Sequence, residues 1–221
     1  MRRVWVTRAE PGATRTADRL TALGFAPVVA PLLEIRPIRA DPEPGGVTAL
    51  AFTSRNGVDA FASRSRERAL PVFTVGDATA DAARAHGFTT VRSAAGALVD
   101  LAEMLAAEAP KEGLVLAPGA LEPAGDLPAL LAGRVRVRML PVYEAVETGV
   151  APPSFDAVLL HSARAARALR ARGPFRDASA IALSDSVASA LGDDSGLEIR
   201  VAAAPGESAL LEALGKPARP V

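Results

Sequence analysis

The chain contains no cysteine, which excludes disulfides, thiolate metal sites and a cysteine nucleophile together and suits a reducing compartment. No apolar run approaches the roughly 18 residues needed to span a bilayer. The N-terminal MRRVWVTRAEPG lacks the apolar core of a signal peptide. A cytoplasmic protein with no membrane partner is the expectation. Lysine is almost missing as well, with 2 Lys against 23 Arg. The planar fork of arginine is the better partner for carboxylates. Formal net charge is zero and aromatics make up 4%, so the basic surface and stacking residues of a nucleic-acid binder are lacking. A Walker loop and a GxGxxG turn are both absent. The two histidines, His86 and His161, have no neighbours at metal-ligand spacing, and neither forms a readable triad with Ser54 or Ser162.

What is present is ample apolar material. Hydrophobic residues make up 49% of 221, enough for one large core or two modest ones. Short apolar runs alternate with Ala-rich helical patterns throughout, the signature of βα units and a parallel sheet. Ten strands are predicted, centred on Val4–Val6, Pro27–Ala30, Ala49–Thr53, Val72–Val75, Thr90–Arg92, Leu114–Ala117, Val135–Leu140, Ala157–His161, Ala180–Leu183 and Glu198–Ala202. Helices fill the intervals, among them Ala13–Leu23, Ala78–His86 and Ala163–Arg172, with apolar positions at helical spacing.

These elements repeat. LAFTSRNGVDAF (Leu50 to Phe61) resembles VLLHSARAARAL (Val158 to Leu169) about 108 positions later, and FTVGDATADAARAHGF matches IALSDSVASALGDDSG at the same offset. VWVTRAEPGATRTADRLTALGF (Val4 to Phe25) parallels VLAPGALEPAGDLPALLAGRV (Val115 to Val135) at about 111. One unit therefore occurs twice. Each copy also carries a proline-flanked alternating segment, PLLEIRPI (Pro31 to Ile38) or PVYEAVET (Pro141 to Thr148), which reads as an edge strand or a linker. Two lobes follow, in either of two ways. The halves are sequential, or the stretch between the linkers forms one lobe while the two ends combine into the other.

Taken jointly and in order, VTRAEPGATRTADRLTALGF, the PLLEI linker, LAFTSRNGVDAF, VGDATADAARAHGF and LPVYEAV resemble the uroporphyrinogen-III synthase family over nearly the whole chain. The resemblance implies two flavodoxin-like lobes with parallel sheets, joined by a two-stranded linker and arising from an internal duplication. It favours the discontinuous arrangement, with 1–36 plus 149–221 in one lobe, 38–142 in the other, and linkers near 33–38 and 142–148. It also implies a hydro-lyase of tetrapyrrole biosynthesis that closes linear hydroxymethylbilane into uroporphyrinogen III in an inter-lobe cleft, inverting the last pyrrole and using no metal or cofactor. A monomer is implied, with hand-over of the bilane from hydroxymethylbilane synthase.

Such a substrate carries eight carboxylates and requires many hydrogen-bond donors. Turns from a strand end into a helix supply free backbone N–H groups and a favourable dipole. Turns of this kind fall at Arg8, at Thr53 and Ser54, at Thr79, at Ser162 and at Ser186, which are the candidate substrate-binding residues. Each Ser or Thr there could equally be an ordinary helix cap. Arg8 matches an arginine of the family. Tyr143, the only tyrosine, matches the tyrosine the family places at its cleft. Its implied catalytic role is to hydrogen-bond the departing hydroxyl of the first ring. Two segments depart from the family pattern: APGALEPAGDL, with no Arg or Lys from Ala117 to Gly133, and LSDSVAS, where a Gly-Pro-Thr-like turn is usual. The alternative is a catalytically inactive relative that binds a tetrapyrrole or serves as a regulatory module.

Overall fold

A computed structural model describes residues 1–40, 45–204 and 206–216. The strands are β1 (Arg3–Val6), β2 (Ala26–Val29), β3 (Leu33–Pro37), β4 (Val47–Phe52), β5 (Val72–Thr74), β6 (Val91–Ser93), β7 (Leu114–Ala120), β8 (Val137–Glu147), β9 (Ala157–Leu160), β10 (Ser179–Ala182) and β11 (Glu198–Val201). The helices are α1 (Gly12–Ala22), α2 (Arg55–Ala62), α3 (Asp77–Ala85), α4 (Leu98–Glu108), α5 (Leu127–Leu131), α6 (Ala163–Arg170), α7 (Asp185–Leu191) and α8 (Glu207–Leu214). All ten predicted strands are present. The eleventh, β3, comes from the PLLEIRPI segment, and β8 runs on through PVYEAVE as far as Glu147.

The chain divides into two compact units, Met1–Glu34 with Val146–Val221 and Ile35–Ala145; residues 217–221 lie outside the described set. The first unit is built on a sheet of order β11-β10-β9-β1-β2, and β1 pairs in parallel with β9. The second is built on β8-β7-β4-β5-β6, again with parallel pairings. If β7, β8, β4, β5 and β6 are counted as the counterparts of β1, β2, β9, β10 and β11, both sheets have the same flavodoxin-like order. The repeats seen in the sequence thus map onto equivalent strands of two similar sheets. β3 neighbours β8, flanked by hydrogen bonds from Ile38 N–H to the Val142 carbonyl and from Thr148 N–H to the Leu32 carbonyl.

Strand alternation sends side chains to two faces, and helices cover both. In the first unit Trp5, Val158, Leu160, Ala180 and Ala182 join one core cluster with Leu169 of α6 and Leu191 of α7. The intervening Val4, Val6, Ala157, Leu159 and Ile181 pack with Leu20 of α1 and Leu210, Leu211 and Leu214 of α8. The second unit repeats the scheme. Ala49, Ala51, Phe73, Val115 and Ala117 pack against α4 and α5, while Leu50, Phe52, Val72 and Leu116 pack against Val58, Phe61 and Ala83. Burial on both faces explains why strands such as AVLL and SAIA are continuous small or apolar runs rather than alternating ones.

Candidate functional site

Adjacent strands of each sheet lead their helices in opposite directions at one point, between β7 and β4 in the second unit and between β1 and β9 in the first. Sheets of this kind take ligands beyond the carboxyl ends of the strands at such a reversal. In the second unit that place is a cavity of about 300 Å³. Ala51, Thr53 and Ser54 line it from β4 and its turn, Pro118 to Ala120 from β7, Leu98 from α4, and Tyr143 from β8. Its walls are mostly apolar, and Thr53, Ser54 and Tyr143 bring its hydroxyl groups.

Tyr143 is 7% exposed, and its Oη lies 3.0 Å from Ser54 Oγ. Burial pushes the Tyr143 phenol above its ordinary range, and the Ser54 hydrogen bond opposes this only in part. The phenol therefore remains protonated at neutral pH. Ser54 caps α2, its Oγ accepting the Gly57 N–H at 3.1 Å. The Ser54 hydroxyl proton is left available to Tyr143 Oη, and either oxygen can donate across this contact; with Ser54 as donor, the phenolic proton is free for a ligand. Gly57 is required for this arrangement, since a Cβ there would come within 2.7 Å of the Pro118 carbonyl. Its absence lets α2 approach the cavity wall.

The equivalent point of the first unit carries a charged cluster. Arg8, just past β1, donates from Nη1 to Glu207 Oε2 at 2.8 Å. His161, just past β9, meets the same oxygen through Nε2 at 3.0 Å, and Thr16 of α1 donates to Glu207 Oε1 at 2.6 Å. Burial alone would raise the Glu207 carboxyl. The hydrogen bond and charge of His161, the Thr16 hydroxyl and the Arg8 charge together hold it down to about 2. A group depressed in the folded state adds stability above its unfolded value, and that stability is lost as pH falls through the folded one. Acid titration of the protein should therefore show a loss of stability between about pH 4.5 and 2 that is diminished in Glu207→Gln, read from urea midpoints at each pH.

Of the residues singled out in the sequence, Thr53, Ser54 and Tyr143 thus meet in one cavity. Thr79 is buried in the first turn of α3 and is not part of that cavity wall. In the first unit Ser162 caps α6 by accepting the Ala165 N–H, and exposed Ser186 lies 2.9 Å from the Ser184 hydroxyl. Arg8 is held by a carboxylate from a helix nearly two hundred positions away. Sequence reasoning missed Glu207, Leu98 and Gly57. Only Gly57, a glycine inside a helical pattern, carried a local signal of close backbone approach.

The fold and its two strand reversals define a duplicated, doubly wound α/β protein. Residues 14–212 match the model of the family described as uroporphyrinogen-III synthase HemD. The chain belongs to the uroporphyrinogen-III synthase family, lyases of tetrapyrrole biosynthesis. It is similar in fold to uroporphyrinogen-III synthetase from Helicobacter pylori 26695, at 19% identity and a TM-score of 0.71 over 97% of this chain and 98% of that one. A mutant uroporphyrinogen III synthase from the extremely thermophilic bacterium Thermus thermophilus is similar at 16% identity and a TM-score of 0.55, with 97% of each chain covered. No curated protein sequence matches the chain. Among the described residues no helix is long and apolar enough to cross a membrane.

Proposed function

We propose that this chain closes hydroxymethylbilane into uroporphyrinogen III, with loss of water and inversion of the terminal ring, and that Tyr143 assists departure of the hydroxyl. The observation that carries this reading is the buried phenol at the cavity wall, kept protonated by its surroundings and hydrogen-bonded to Ser54. A Ser54 hydroxyl donating to Tyr143 Oη polarises the phenolic O–H toward the substrate. The hydroxyl then leaves as water, while the pyrrole nitrogen of the same ring supplies the electron pair that forms an electrophilic azafulvene.

From that point the substrate does most of the chemistry. The substituted carbon of the terminal pyrrole attacks the azafulvene carbon, giving a spiro intermediate. That intermediate fragments and recombines with the ring inverted, and loss of one proton restores the aromatic pyrrole. The protein's part is to hold the folded chain in the attacking geometry, which alone can contribute several kcal/mol. Arg8, Thr53, Ser54, Thr79, Ser162 and Ser186 are the donors we assign to the substrate, with Arg8 the one permanent cation among them. The remainder of the reading is a cytoplasmic monomer that receives the bilane from hydroxymethylbilane synthase.

Consumption of freshly generated bilane by the purified protein, compared with the spontaneous rate, tests this reading. Acceleration supports it. Saturable binding of the bilane without acceleration would point to an inactive relative instead. Ser54→Ala should lower turnover about fivefold, the worth of about one hydrogen bond. The same change should cost roughly 1 kcal/mol of stability through loss of the α2 cap. Turnover unchanged despite the stability loss would remove Ser54 from the relay.

A further inference from the structure

The two units can be compared at one further position. In α4 the buried residues are Leu101, Ala102 and Leu105, and in α8 they are Leu210, Leu211 and Leu214. This common spacing makes the first helical residues, Leu98 and Glu207, equivalent. Leu98 lines the cavity at the strand reversal of the second unit. Glu207 stands over the corresponding reversal of the first, and there its carboxylate meets three groups from three elements: the Arg8 guanidinium at 2.8 Å, the Thr16 hydroxyl at 2.6 Å and His161 Nε2 at 3.0 Å. Both carboxylate oxygens are engaged. Arg8 is further held in place by lying across α1 at Gly12, where a Cβ would fall 2.5 Å from Arg8 Nε.

We propose that Arg8, Thr16 and His161 form a carboxylate-binding seat, and that Glu207 is its resident stand-in, which exchanges with a carboxylate of the ligand. Charged and neutral donors converging on both oxygens are what recognition of a free carboxylate requires, and the seat lies where a sheet of this order binds ligands. The exchange needs only rotation of the Glu207 side chain, since Leu210, Leu211 and Leu214 anchor α8 in the core. The benefit follows from the reaction proposed above, on which the identity of the ligand rests. Cyclisation leaves every carboxylate of the bilane unchanged, so an unopposed seat would hold product as tightly as substrate. Such uniform binding does nothing for turnover. A tethered competitor weakens both to the same degree, keeps the donors aligned when the site is empty and favours release.

The test uses the full chain, with propionate as probe and propionamide as neutral control. In Glu207→Ala, propionate should shift the His161 ring signals and raise the melting temperature, with His86, the other histidine, as internal reference. Half-saturation should be at least about tenfold lower than in the parent protein, propionamide should do neither, and adding Arg8→Gln should abolish the response. An equal response in the parent and in Glu207→Ala, or one that survives Arg8→Gln, overturns the seat. If Glu207→Ala does not fold, Glu207→Gln, which keeps the shape and loses the charge, replaces it. With the bilane, Glu207→Gln should lower KM and the product inhibition constant together by about three- to tenfold. An unchanged KM and product inhibition constant would reject exchange with substrate. If propionate binds Glu207→Ala at least about tenfold more tightly than the parent, yet the parent never converts the bilane, the seat stands and the functional reading fails.

Discussion

Tyr143→Phe should lower turnover about ten- to a thousandfold, in the lower part of the range for a positioned proton donor, and leave the fold intact. The size of the effect follows from where the hydroxyl sits. The ring of Tyr143 belongs to the core cluster that includes Phe52, Val58 and Leu140, so phenylalanine preserves the packing. Only Oη is lost, together with its 3.0 Å contact to Ser54. In the role proposed for it the phenol acts chiefly as the C–O bond breaks, so kcat should fall much more than KM rises. Circular dichroism and a melting curve matching the parent would establish that the change is local. Near-normal kcat in such a variant would move the chemistry to the other donors of the cavity, Thr53 first.

Trp5→Ala should cost about 3–5 kcal/mol of stability, the usual range for removing a buried aromatic. Trp5 is fully buried in β1, its ring centroid is 5.2 Å from that of Phe155, and its Nε1 donates to the Ala30 carbonyl at 2.7 Å. Alanine leaves a cavity beside Phe155 and strips that carbonyl of its partner. Trp5→Phe keeps most of the apolar contact and loses only the hydrogen bond, so it should cost about 1–2 kcal/mol. Urea unfolding followed by circular dichroism separates the three proteins, because the mutation removes the only tryptophan and with it the fluorescence signal. Equal midpoints for Trp5→Ala and the parent would show that this cluster contributes little to holding the first unit.

Local order was readable in the chain to the extent that it depends on neighbours in sequence. Continuous runs such as VLL before His161 and IAL before Ser184 announce strands buried on both faces, and Ser54 and Ser162 mark helix starts by the oxygen each offers to the N–H three residues on. PLLEIRPI was harder to read, because proline and alternating polarity suit a linker and an edge strand alike. It forms β3 because β8 offers it a free edge. The cavity was legible in the sequence through its hydroxyl groups and silent in its walls. Ala51, Ala117 and Gly119 are ordinary small residues until β4 and β7 lie side by side and leave room between their ends. Arg8 drew attention as a cation past a strand end, yet its partner Glu207 is brought to it only by the tertiary packing of α8 against α1 and the sheet.

In the proposed reaction the protein decides which isomer forms. Hydroxymethylbilane left in water closes without rearrangement to the symmetric type I product, so every assay contains its own control. Bilane generated by the preceding deaminase, incubated with the purified protein, then oxidised and separated by isomer, reads the decision directly. Type III should dominate with the protein present and fall toward the type I background in Tyr143→Phe as spontaneous closure overtakes the slowed enzyme. Type I alone, at an unaltered rate and with bilane demonstrably bound, would contradict it.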